Sequence, residues 1–110
     1  MIDWAQVSQL RDEIGDEGFA EIAAAFLAEI EEILDDLHSG RIAAERMEGT
    51  FHVLKGSALN LGLSDFAGIC AQAEISARTG QPMPDPDWLV GVFRVGQDAF
   101  LKEMGARFFV

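Results

Sequence analysis

The 110-residue chain has one cysteine and two histidines. That excludes an internal disulfide framework and leaves few ligands for a metal cluster, so no metal site is expected. Basic residues are scarce: eight stand against nineteen acids, for a formal net charge of −11. A surface of that sign repels a phosphodiester backbone, which excludes nucleic acid as a partner. No apolar run reaches the ~18 residues that span a bilayer, and no basic-then-apolar leader opens the chain. The expectation is a cytoplasmic protein with no membrane partner. A capped helix follows Met1 directly, the start expected of a free-standing protein. Nothing resembles a glycine-rich ATP-binding loop, so no autonomous kinase activity is expected. No stretch alternates with a period of two over a useful length, which argues against a sheet.

What is present is ordinary globular material, 49% hydrophobic and 25% charged. At this length it makes a single domain, residues 1–110, able to bury about two-thirds of its chain surface. Residues 1–51 hold thirteen of the nineteen acids against three arginines. This is a solvated face, or one that steers association toward a partner with a complementary rim.

Apolar side chains recur at helical spacing along five segments, roughly 3–14, 17–38, 42–61, 65–79 and 86–104. Asp3 caps the first, a short one, and Gly15 closes it. Phe19, Ile22, Ala23, Phe26, Ile30, Ile33, Leu34 and Leu37 stripe the second, which Gly40 ends. His38 lies in its last turn, a structural or surface position that suits the helix dipole. Gly62 stops the third and Ser64 caps the fourth, where Cys70 reads as a small core hydrophobe. The loop QPMPDPD leads into Asp85-Pro86, an N-cap followed by proline at the first helical position. The fifth segment ends near Gly105, leaving Phe108, Phe109 and Val110 to pack on the bundle or to form an exposed apolar end. The expected fold is all-α, an antiparallel up-down four-helix bundle with a short additional N-terminal helix.

The third segment is unusual. Met47, Phe51, Leu54, Ala58 and Leu61 form its buried stripe. At ~3.6 residues per turn, His52 points about 140° away from it. Gly49 and Gly56 share the histidine's face one turn to either side, each costing roughly 1 kcal/mol in a helix relative to alanine. Missing side chains there let another molecule approach the imidazole closely. Lys55 supplies a positive charge for an anion at the ring, or pairs with Glu48 or Asp65. Leu59, Leu63 and Val53 would form an apolar docking surface around the histidine. Glu74 on the next helix lies about 85° off that helix's stripe. It either accepts a proton at Nδ1, orienting the ring, or only occupies the seam.

The pattern H-x-L-K-G-S at His52–Ser57, then Leu61-Gly62, then Cys70 and Glu74 resembles the histidine-containing phosphotransfer (HPt) domain of multi-step phosphorelays. The resemblance covers nearly the whole chain. It implies a phosphoryl carrier, with His52 phosphorylated and relaying the group between receiver-domain aspartates. The implied partners are response-regulator receiver domains and a hybrid sensor kinase. No cofactor would be bound by this chain; magnesium would arrive on the receiver. One chain holds enough helix to close a bundle, so a monomer is expected. The alternative is a helical interaction module that binds a signalling partner through the same face without chemistry.

Overall fold

The computed structural model describes residues 2–108. Four α-helices make up most of it: α1 Trp4–His38, α2 Met47–Asn60, α3 Ser64–Thr79 and α4 Pro86–Phe108. A 3₁₀ turn, Ala44–Arg46, leads into α2. Among the described residues there is no strand, only an isolated bridge between Ile2 and Leu63.

The short first helix and the long second one meet at Gly15 with no loop between them, so that α1 is two helical segments joined across a kink. Gly15 has φ 80° and ψ 163°, a conformation essentially reserved for glycine. Arg11 spans the kink, with Nε 3.4 Å from Asp16 Oδ1. Asp3 caps the start by accepting from the Gln6 N–H at 3.2 Å. Beyond the kink, Phe19, Ala23, Leu27, Ile30, Leu34 and Leu37 are buried, one side of the helix over more than four turns.

Three expected boundaries move. The segment expected from residue 42 becomes α-helical only at Met47, because Ala43 is extended (φ −67°, ψ 150°) and a tight 3₁₀ turn intervenes. Ser64 does not cap α3. It is the first helical residue, Leu63 occupies the cap, and the Ser64 hydroxyl donates to the Gly62 carbonyl at 3.4 Å. Helix α4 continues past Gly105 to Phe108. Glu103 and Arg107 pair one turn apart at 3.2 Å, and the Arg107 guanidinium lies 4.6 Å over the Trp4 ring. Both contacts hold the last turn helical. The expected placements of Phe109, Val110 and the Phe108 side chain lie outside the described residues.

Side-chain pairs fix the direction of the helices. His38 with Asp87 and Glu31 with Arg94 place α1 antiparallel to α4. Glu48 with Arg78 and His52 with Glu74 place α2 antiparallel to α3. Phe51, Leu54, Ala58, Phe66, Cys70, Leu89, Phe93 and Phe100 fill the space between them. Phe66 meets Phe93 at 5.4 Å, and Trp4 stacks on Phe100 at 5.8 Å. At the end of α2 the chain reverses through Gly62, at φ +69°. Its carbonyl accepts the Asp3 N–H at 2.7 Å, tying the N-terminus to the α2–α3 turn.

Candidate functional site

Helix α2 contributes one wall of the site because its buried stripe is regular: Phe51, Leu54, Ser57 and Ala58 face the core. The opposite side carries His52, whose side chain is 67% exposed. Helix α3 contributes the other wall through Glu74, one turn past Cys70. The Glu74 carboxylate is only 13% exposed, lying in the seam between the helices.

One carboxylate holds two partners. Glu74 Oε2 lies 3.0 Å from His52 Nδ1, and Glu74 Oε1 accepts from Lys55 Nζ at 2.7 Å. Hydrogen bonds from Lys55 hold the Glu74 carboxyl below its ordinary value of 4.5, against the opposing effect of burial; His52 adds to the lowering. With Nδ1 facing Glu74, the other ring nitrogen is the one open to an incoming group. Lys55 pairs with neither Glu48 nor Asp65 in the structure. Glu48 instead meets Arg78 across the seam at 3.4 Å.

The glycines leave the histidine uncovered. A Cβ added at Gly49 or at Gly56 would meet nothing within 4 Å, so neither is required by packing. Val53 and Leu59 are also exposed on α2. Leu63 is not. It is 2% exposed and belongs to the core. The helical phase that would carry it outward ends at Asn60, and the turn through Gly62 brings Leu63 back beneath the Ile2 bridge and against Gly96.

Two residues escape a reading of α2 alone. Ile75, next to Glu74 in sequence, is an exposed large hydrophobe on α3. Arg78 lies one turn beyond Glu74, a second cation along the seam. The signal for Arg78 was its spacing from Glu74, i+4 on one helix. A groove of about 410 Å³ borders the other flank of α2, lined by Ile33, Asp36, Arg46, Gly49 and Val53 among others.

The remaining chemistry-bearing residues lie elsewhere. Cys70 is fully buried, and desolvation pushes its thiol up to about 12, which leaves it protonated and inert. His38 pairs with Asp87 at 2.6 Å at the far end of α1. Among the described residues, no group of three or more histidine, cysteine or acidic side chains could hold a metal ion. None of the described helices is long and apolar enough to cross a membrane.

A family profile described as the Hpt domain matches residues 21–106, from the second turn after the α1 kink to the last turns of α4. No curated protein and no solved structure matches the chain. An exposed histidine in an all-helical bundle, and a profile spanning more than three-quarters of the sequence, lead to one assignment: the chain belongs to the Hpt domain family.

Proposed function

We propose that this Hpt domain is a phosphoryl carrier that relays the group between receiver-domain aspartates through His52. The observation that carries this reading is the His52 ring, two-thirds exposed and held at Nδ1 by Glu74 Oε2 3.0 Å away. A carboxylate at Nδ1 favours the tautomer with its proton there and leaves the Nε2 lone pair free. Nε2 attacks the phosphorus of an aspartyl phosphate. The Nε2–P bond forms as the P–O bond to the carboxyl breaks, and the electron pair leaves with the receiver's carboxylate. The ring gains positive charge, and Nδ1–H stays hydrogen-bonded to Glu74. Transfer onward is the reverse, to a second aspartate.

Lys55 is placed to offset charge on the transferring oxygens. Magnesium would arrive on the receiver and supply the rest. Gly49 and Gly56 admit the receiver, and Val53, Leu59 and Ile75 form its apolar contact. The proposed setting is a cytoplasmic monomer that serves receivers and a hybrid sensor kinase. Incubation with a phosphorylated receiver domain and magnesium should label the wild-type chain and leave His52→Gln unlabelled. Unlabelled wild type, or label persisting in His52→Gln, would overturn the reading. Equal receiver binding by both with no label on either would indicate a non-catalytic interaction module.

A further inference from the structure

Glu74 does more at this site than face the imidazole. Its two oxygens are divided between His52 Nδ1 at 3.0 Å and Lys55 Nζ at 2.7 Å, so the cation nearest the histidine is already committed. The Lys55 side chain is 29% exposed and that of Glu74 13%, which shields their bond from water on much of its surface. The next cation along the seam, Arg78, is engaged by Glu48. A phosphoryl group on Nε2 would bring negative charge to the face that Lys55 shares with His52. To serve it, the ammonium must turn away from Glu74 or divide its hydrogen bonds.

We infer that Glu74 competes with the phosphoryl group for Lys55, and so sets how readily His52 keeps the group or surrenders it. The inference rests on the phosphoryl-carrier reading and assigns Glu74 as a positioning residue acting through Lys55. While the histidine is bare, Lys55 and Glu74 satisfy each other. Once it is phosphorylated, Glu74 keeps only the Nδ1–H, and its own charge draws the cation back. The carboxylate thereby raises the phosphorylated state relative to the bare one and favours onward transfer. An amide at this position would still accept from Nδ1–H, preserving the ring's orientation, but it would lack the charge that holds the lysine.

The two effects separate in a double-mutant cycle. The full chain is brought to equilibrium with phosphoramidate and ammonium, and phosphohistidine is read by ³¹P NMR. Phosphoramidate gives up its phosphoryl group as the Nε2–P bond forms and ammonia leaves. Glu74→Gln should raise the equilibrium constant for phosphorylation roughly threefold to tenfold, the range of a partly shielded charged pair. In a Lys55→Met background the same change should give no gain. An unchanged constant in Glu74→Gln would overturn the inference. So would an equal gain in both backgrounds, which would mean direct repulsion without competition for the lysine. No phosphohistidine on the wild type would overturn the carrier reading itself, and this inference with it.

Discussion

Residue by residue, the site is a set of omissions around one histidine. Gly56 shows this most directly, because nothing in the fold needs it to be glycine: a Cβ there meets open space. Gly56→Gln should therefore move two properties in opposite directions. Thermal stability should rise by up to about 1 kcal/mol, since glutamine is the better helix former. Transfer from a phosphorylated receiver should fall at least about tenfold as the side chain fills the approach to Nε2. Melting curves and label transfer on one preparation decide it, and normal transfer would disprove the access argument. Glu74 has a pH signature. Its carboxyl lies below the ordinary 4.5 in the folded chain, chiefly through Lys55. A depressed folded value means its stabilisation is complete above the unfolded value and is lost as pH falls through the folded one. Urea unfolding should show the wild type losing more stability than Glu74→Gln as pH drops below 4.5; parallel curves would contradict the shift.

At the scale of elements, what could be read in advance was whatever depends on phase within one unbroken helix. Met47, Phe51, Leu54 and Ala58 mark the inner side of α2, and His52 lies opposite because the helix is continuous from Met47 to Asn60. Leu63 fails the same extrapolation, since phase is lost where the backbone reverses at Gly62. Ile75 and Arg78 were missed because their relation to His52 passes through the α2–α3 register, set by packing and the turn, not by spacing along α2. The commitment of Lys55 to Glu74 is likewise a property of two helices. The turn can be tested directly. An added Cβ at Gly62 would lie 2.5 Å from the Asp3 carbonyl oxygen and 2.9 Å from Val7, at a positive φ. Gly62→Ala should cost about 3 kcal/mol in urea unfolding from strain and overpacking together. A loss within error of zero would mean that the N-terminus is not clamped there. Across the seam, Ile75→Glu should raise the receiver concentration needed for half-maximal transfer about tenfold, with little change at saturation or in melting. An unaltered concentration dependence would remove α3 from the docking face.

Taken whole, the molecule is a rod of 45 × 21 × 21 Å with its chemistry on one side wall. The other clusters of polar residues serve the frame: His38 with Asp87 and Arg94 with Glu31 join α1 to α4, and Arg107 covers Trp4. The excess of acid, −11 in net charge, suits a partner with a basic rim around an apolar centre. On the proposed reading, His52 is a way-station whose reaction is completed by what docks on it. The most direct test is therefore a two-receiver relay. The chain is loaded from one ³²P-labelled receiver domain with magnesium, separated from it, and mixed with a second, unlabelled receiver. Label should leave the wild-type chain and appear on the second receiver's aspartate, and His52→Gln should break the relay at loading. Label that reaches the second receiver equally well through His52→Gln, or that never enters the wild-type chain, would contradict it.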